Sequence, residues 1–196
     1  MIDDQKKLAQ IRNKEAATGG LALGLSLFIV IILDYLFSFS ISAGYISSIL
    51  NFALIAGLLY YFTKRYGIAR GDLGMTYGNG YSFILLTMIF AGIIYGALYF
   101  VQSNYIDPAY YKNLQEQVII NNPQLTDVQK DQALQVMSGV MSNPLVVIIS
   151  TIFSTLLMGA FVGLVVAVFT KRAPVLFNNE INEEEKEQES TSLKEE

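Results

Sequence analysis

Asp34 is the residue whose type and position most strongly suggest chemistry. It is the only charged residue between positions 16 and 63, a stretch of 48 residues that is otherwise apolar, aromatic, glycine or small polar. A carboxyl group inside such a segment costs about 2.5–3.5 kcal/mol to insert into a membrane and is a functional candidate by default. Asp34 could be a proton or cation site. It could equally be a buried polar residue that joins helices, or a hydrated carboxylate near the headgroups.

Other polar residues are predicted at the depth of Asp34. A turn centred near residue 42 or 43 places Asp34 and Asn51 about 12 Å below it, at 1.5 Å per helical residue. Counting inward along the later apolar segments gives a polar layer of Asp34, Asn51, Tyr99, Ser150, Thr151 and Ser154. Because no cation lies at that depth, burial favours the neutral, hydrogen-bond-donating form of the carboxyl group.

The composition excludes several kinds of chemistry. The chain has no cysteine and no histidine, so disulfides, thiolate ligands and imidazole acid–base catalysis are absent. Asp127 and Asp131 lack the further ligands of a calcium site, and the glycine-rich segment 77–80 lacks the Lys-Ser/Thr of a phosphate loop. We therefore predict no catalytic, cofactor-binding or metal-binding residue, and nothing supports nucleic-acid binding.

Four long apolar segments must position these residues. Only 15% of the chain is charged, whereas soluble domains average about 25%. Each segment approaches or exceeds the roughly 20 residues that cross a bilayer. The sequence predicts an all-α polytopic membrane protein, a compact bundle with spans at about 18–39, 45–63, 80–104 and 144–170. A cleaved signal peptide is the alternative for the first segment, which is longer than the usual h-region of about 7–15 residues.

The basic residues predict the orientation of the chain. Nine lie in the lead-in 1–17, in the linker 64–79 or just after the last span, and only two lie in the segment 105–143. Positive residues stay in the cytoplasm, so both termini should be cytoplasmic. Predicted contacts with the inner headgroups are Lys64, Arg65, Arg70, Lys171 and Arg172. The acidic tail 175–196 should be disordered.

The segment 107–142 is predicted to form an extracytoplasmic helical hairpin. Asp107 and Pro108 have the types of an N-cap and a first helical residue, which opens a helix to about residue 120. Thr126 and Gln129 form a capping box for a second helix over about 127–141. The hairpin could bind a partner or only cover the bundle.

Small residues four apart recur in every span. They are Gly20 and Gly24, Ala53 and Gly57, Gly92 and Gly96, and Gly159 and Gly163. Such pairs let helix backbones approach closely in a membrane. They predict tight packing of helices, either within one chain or between two copies. The pattern does not distinguish a monomer from a homodimer.

The order of these features resembles a known family. The features are Tyr77-Gly78 before the third span, the segment 105–108 after it, and Asn143-Pro144-Leu145 at the start of the fourth span. Over about residues 13–174 the chain resembles the proteins grouped as domain of unknown function 4199. The resemblance implies an inner-membrane protein of Gram-negative bacteria, with no activity to carry over. Members are often encoded near a glycosyltransferase for lipid-linked sugars, which implies an accessory to envelope biosynthesis as one alternative.

The predicted function is a non-enzymatic accessory or scaffold protein. Its outer hairpin would meet a membrane-protein partner, and its other contacts would be membrane lipids. A first alternative is a proton-coupled or small-solute carrier that uses Asp34. Four spans are few for a carrier, and a homodimer would supply the missing ones. An enzyme acting on lipids is a weaker alternative, because no clustered acid pair is present.

Overall fold

The computed structural model describes residues 2–37 and 41–172, and the predicted acidic tail lies outside them. The helices are α1 Ile2–Phe37, α2 Ile41–Ala69, α3 Tyr77–Val101, α4 Pro108–Ile120, α5 Asp127–Ser142 and α6 Pro144–Phe169. A 3₁₀ turn covers Gly71–Leu73 and a π-helical turn covers Gln102–Ile106. An isolated bridge between Met75 and Arg172 is the β-type pairing seen in this part of the chain. The all-α prediction is therefore confirmed.

Three helical segments are long and apolar enough to cross a membrane. Among the residues that the structure describes they are Lys6–Leu36, Tyr77–Ile106 and Pro144–Phe169. Length and composition thus indicate a multi-pass membrane protein. Helix α2 does not meet these criteria within the described residues, so the second predicted span, at 45–63, and with it the total of four, stays a prediction.

Several helix boundaries differ from the predicted ones. Helix α1 starts at Ile2, so the lead-in and the first span form one helix. The predicted turn at 40–44 is wrong for residues 41–44, which are already helical. Small residues there suggested a turn, but an apolar helix tolerates them. The linker is also shorter than predicted, because α2 continues through Lys64 and Arg65 to Ala69.

Helix α3 lies at the centre of the bundle and packs mainly against α6 and α1. Its fully buried side chains include Phe83, Ile84 and Met88. Thr155 of α6 adds a hydrogen bond, donating from its hydroxyl to the carbonyl of Met88 at 3.3 Å. The core is therefore built on both sides of α3, and the first and last spans are held together through it.

Glycines set the close approach of the helices. A Cβ atom added at Gly92 would lie 2.7 Å from the Cα of Ile152, so α3 and α6 touch backbone to backbone. Similar close contacts between helices occur at five other glycines. Gly20 and Gly24 of α1 and Gly159 and Gly163 of α6 approach α3, and Gly96 of α3 approaches α6. Gly57 differs, because an added Cβ would meet no atom of the described residues within 4 Å. Its predicted role in helix packing therefore has no counterpart in the described part of the chain.

The helix starts in the second half of the chain are capped as their sequences predict. Oδ1 of Asp107 accepts a hydrogen bond from the backbone of Tyr110 at 3.0 Å. Thr126 and Gln129 form the predicted reciprocal capping box. Asn143 caps α6 through the backbone N–H of Leu145 at 3.0 Å. These caps fix the residues at which α4, α5 and α6 begin.

Candidate functional site

Asp34 lines a cavity of about 360 Å³ between α1, α3 and α4. The lining residues are Ile31, Asp34 and Tyr35 from α1, Tyr99 from α3, and Tyr110, Tyr111 and Leu114 from α4. Four of these seven residues are tyrosines, and none of the described residues lining the cavity is basic. The cavity therefore combines one carboxyl group with several aromatic rings.

The tyrosines form a continuous chain of ring contacts. Tyr35 meets Tyr110 edge to face at 5.1 Å between centroids, and Tyr110 meets Tyr111 at 5.2 Å. Tyr111 meets Tyr99 at 5.5 Å, and Tyr99 stacks on Tyr95 at 6.2 Å. Aromatic pairs favour these offset and perpendicular arrangements. The rings thereby join three helices around Asp34.

Asp107 holds α4 in place beside the cavity. Its Oδ1 caps α4, and its Oδ2 accepts a hydrogen bond from the hydroxyl of Tyr35 at 3.1 Å. Tyr35 is the neighbour of Asp34 on α1, so the tie lies next to the carboxyl group that lines the cavity. One aspartate therefore both starts α4 and attaches it to α1.

The π-helical turn Gln102–Ile106 directs the chain from α3 into α4. The side-chain amide of Asn104, within this turn, donates a hydrogen bond to the carbonyl of Met141 at 3.0 Å. This bond joins the turn to the end of α5. Turns of this kind occur frequently at functional sites because they displace side chains from regular helical positions. Here the turn brings the first residues of α4 over the cavity.

Tyr111 is the most buried of the lining tyrosines on α4. Its side chain is 6% exposed, and its hydroxyl has no hydrogen-bond partner among the described residues. Burial, followed by the fields of Tyr99 and Tyr110, raises the pKa of the Tyr111 phenol above its ordinary value. The ring therefore stays neutral and keeps an uncommitted hydroxyl at the cavity.

The structure assembles the predicted polar layer only in part. Asp34 and Tyr99 line the same cavity, whereas Asn51 does not line it and its buried Oδ1 has no hydrogen-bond partner among the residues that the structure describes. Ser150 and Ser154 are exposed on α6 and do not line the cavity, so their place in the layer stays a prediction.

Rotation about the helix axis directs these α6 side chains away from the cavity. The side chain of Thr151 faces α3, where its Cβ lies 3.1 Å from a Cβ built on Gly96. Its hydroxyl donates to the carbonyl of Val147 at 2.7 Å within α6. Depth counting fixes the level of a residue along the membrane normal, but not the direction in which its side chain points.

Four residues at this site were not predicted from the sequence to belong to it: Tyr35, Tyr110, Tyr111 and Asp107. Three of them are tyrosines in or beside apolar segments, where an aromatic residue usually indicates packing. One signal was available, because Tyr110 and Tyr111 directly follow the predicted cap Asp107 and must lie in the first turn of α4. Among the residues that the structure describes, no group of three His, Cys, Asp or Glu side chains could hold a metal ion.

The predicted headgroup residues gather at the other end of the bundle. Arg65 forms an ion pair with Glu15 at 3.0 Å, which joins the end of α2 to the start of α1. Arg172 pairs through its backbone with Met75, and Lys171 lies 5.7 Å from the ring centroid of Tyr77. The same end carries two further predicted residues, Lys64 and Arg70, near the end of α2.

Comparison with known proteins identifies the family. The family model described as "Protein of unknown function (DUF4199)" matches residues 18–172. No curated protein and no solved structure matches the chain. The matched residues include two of the three span candidates in full, most of the first one from residue 18 onward, and the whole Asp34 cavity. Since the match covers most of the sequence, the chain belongs to the DUF4199 family of proteins of unknown function.

Proposed function

We propose that this is a four-span protein of the bacterial inner membrane that binds a small organic cation in the Asp34 cavity. The observation that carries the proposal is the lining of this cavity, a carboxyl group surrounded by four tyrosines with no basic side chain among the described lining residues. Binding of the cation is the primary activity that we assign to the protein. Transport of the cation, or its use as a signal to a partner, would build on that binding.

The proposed topology places the cavity near the outer face. Arg12 and Asp34 lie on the same helix, 22 residues apart, which corresponds to about 33 Å at 1.5 Å per residue. This length matches the roughly 30 Å hydrocarbon core of a bilayer. Most of the lysines and arginines of the described residues lie at the Arg12 end, which the positive-inside rule assigns to the cytoplasm. Both termini are then cytoplasmic, and α4 and α5 lie outside.

The chemistry of the lining favours a cation over a neutral or anionic ligand. A bound cation favours the ionised form of the Asp34 carboxyl group over the neutral form expected for the empty site, and the carboxylate then attracts the cation directly. Tyrosine rings add cation–π attraction of about 0.5–2 kcal/mol each, depending on desolvation. The cavity volume of about 360 Å³ lies at the lower end of the roughly 300–1,000 Å³ range of ligand sites. A small alkylammonium compound therefore fits better than a nucleotide or a lipid-linked sugar.

Choline and its neutral isostere 3,3-dimethylbutan-1-ol test the proposal, because they differ in charge and hardly in shape. Binding is measured by calorimetry and by intrinsic tyrosine fluorescence, which is unmasked because the chain has 12 tyrosines and no tryptophan. We expect the purified full chain in nanodiscs to bind choline and to bind the isostere at least tenfold more weakly. The variant Asp34→Asn should lose most of the choline affinity.

Asp127→Asn is the matched control, because it makes the same chemical change on the exposed first turn of α5. It should bind choline as the parent does. Equal binding of choline and the isostere, or unchanged choline affinity in Asp34→Asn, would overturn the proposal.

A second candidate function is that of an accessory subunit that contacts a partner through α4 and α5. The observation that favours it is exposed apolar surface: Val118, Val128 and Val136 are 70%, 68% and 67% exposed. Helix α5 has no buried residue among those described, so its side chains are available to another molecule. Exposed apolar surface of this kind commonly marks interaction sites.

Replacing Val118, Val128 and Val136 by serine tests this candidate without disturbing the cavity. A partner held through this surface should co-purify with the parent in mild detergent and be lost from the triple variant. Asp34→Asn should retain it. A partner that is lost from Asp34→Asn but retained by the triple variant would contradict the accessory role.

A further inference from the structure

A second cavity lies at the basic end of the bundle, far from Asp34. It has a volume of about 360 Å³ and is bounded by the start of α1, the end of α2 and the first turns of α3. Its lining residues are Leu8, Ala9, Arg12, Tyr66, Arg70, Asn79 and Ser82. Two are arginines and none of the described lining residues is acidic. Two cations that share a cavity repel each other unless an anion lies between them.

Arg70 is held in position by the protein itself. Its Nε donates to the carbonyl of Gly74 at 2.9 Å, and its Nη1 donates to the hydroxyl of Tyr66 at 3.2 Å. A guanidinium has five N–H donors, so these two bonds leave three for another acceptor. The Arg70 guanidinium is therefore held along its Nε–Nη1 edge, and its three other N–H donors remain available for a ligand.

Arg12 provides an unsatisfied donor in the same cavity. Its Nε is buried and has no hydrogen-bond partner among the described residues. A buried donor without an acceptor is costly, and more so when the group is charged. The acidic residue nearest in sequence, Glu15, is engaged in the ion pair with Arg65. Arg12 thus lacks an acceptor that an anionic ligand would supply.

We propose that this cavity binds a phosphate group. Phosphate oxygens accept bidentate hydrogen bonds from guanidinium groups, and two arginines together match the charge of one phosphate better than a single lysine does. Asn79 and Ser82 add neutral donors from the first turns of α3. The cavity lies at the predicted cytoplasmic headgroup level, so the phosphate comes either from an anionic phospholipid or from a soluble phosphate compound.

Two binding measurements on the full-length protein separate the sources. Native mass spectrometry in detergent compares retention of phosphatidylglycerol with retention of phosphatidylcholine. Calorimetry in phosphatidylcholine nanodiscs measures binding of inorganic phosphate. Preference for phosphatidylglycerol assigns a lipid headgroup, and phosphate binding in neutral nanodiscs assigns a soluble ligand; either result supports the site.

Variants decide whether the cavity is responsible. Arg12→Gln should weaken the observed binding at least tenfold, whereas Lys14→Gln, which removes the same charge from an exposed position on the same helix, should change it less than twofold. Ser82→Glu is a second variant at an exposed lining position, and it should abolish binding by placing a carboxylate in the cavity.

Three results would overturn the phosphate site. They are binding of neither ligand class by the parent, parent-like affinity in Arg12→Gln, and equal losses in Arg12→Gln and Lys14→Gln. The last result would mean that only diffuse surface charge attracts the anion. None of these results bears on choline binding at Asp34, because the two cavities share no residue.

Discussion

The hydroxyl of Tyr35 donates a hydrogen bond to Oδ2 of Asp107 at 3.1 Å, across 72 residues of sequence. The other carboxylate oxygen of Asp107 accepts the backbone N–H of Tyr110 and caps α4. The position of α4 over the Asp34 cavity therefore depends on one carboxylate that serves two helices. Changes at this carboxylate or at Tyr35 should alter the cavity without touching Asp34.

Tyr35→Phe removes the tie between α1 and α4 but leaves the cap of α4 intact. A hydrogen bond to a charged group contributes about 1.5–3 kcal/mol, so its loss should loosen α4 measurably. We expect faster hydrogen exchange of backbone amides in residues 111–120 and weaker choline binding. Tyr105→Phe is the control, because Tyr105 is 75% exposed. Exchange in Tyr35→Phe that matches this control would show that the hydrogen bond does not position α4.

Gly92 and Gly57 should respond in opposite directions to substitution by alanine. At Gly92 the new methyl group would meet the Cα of Ile152 at 2.7 Å, so α3 and α6 must move apart. We expect a loss of about 1–3 kcal/mol in the free energy of unfolding, as is typical of overpacking. At Gly57 no atom of residues 2–37 or 41–172 lies within 4 Å of the added Cβ, so alanine should be neutral or stabilise α2 by up to about 1 kcal/mol.

Reversible unfolding in mixed detergent micelles measures both glycine variants. Equal destabilisation by Gly92→Ala and Gly57→Ala would contradict the packing described for α3 and α6. A loss at Gly57 that appears only at high protein concentration would instead indicate that a second chain packs on this face of α2.

The caps of α4, α5 and α6 could be predicted from the sequence because they depend on neighbouring residues. Asp107 followed by proline, and Thr126 three residues before Gln129, specify their hydrogen bonds locally. The apolar segments were equally clear, since burial in lipid requires nearly continuous apolar sequence. The structure has helices in each of the corresponding segments.

The cavity lining could not be predicted, because it depends on how helices rotate against each other. Of the residues predicted to share one depth, Tyr99 lines the cavity with Asp34, whereas Ser150 and Ser154 are exposed on α6. Tyr110 and Tyr111 reach the cavity only because the π-helical turn redirects the chain after α3. No local sequence pattern predicted that π-helical turn.

Tyr111→Phe should stabilise the protein and reduce its sensitivity to alkali. The Tyr111 hydroxyl is buried and has no partner in the described part of the chain, so its removal should raise the free energy of unfolding by about 1 kcal/mol. Burial raises the pKa of Tyr111 in the folded state above the unfolded value of about 10. The stability that this shift contributes is present below about pH 10 and is lost as pH rises toward the folded pKa.

Unfolding measured between pH 8 and about pH 11 checks this prediction against the range in which tyrosine ionises. The parent should lose stability above about pH 10, and Tyr111→Phe should lose less. Tyr105→Phe, at an exposed position, should follow the parent. An alkaline loss in Tyr111→Phe as large as that of the parent would contradict the assignment to Tyr111.

Cysteine labelling tests the proposed membrane topology most directly, because the natural chain has no cysteine and each introduced one is unique. Gln124→Cys places a thiol between α4 and α5, and Lys14→Cys places one on exposed α1 at the basic end. With a membrane-impermeant maleimide on intact spheroplasts, we predict labelling of Gln124→Cys at once and of Lys14→Cys only after lysis. Labelling of Lys14→Cys before lysis, with Gln124→Cys protected, would contradict the proposed topology.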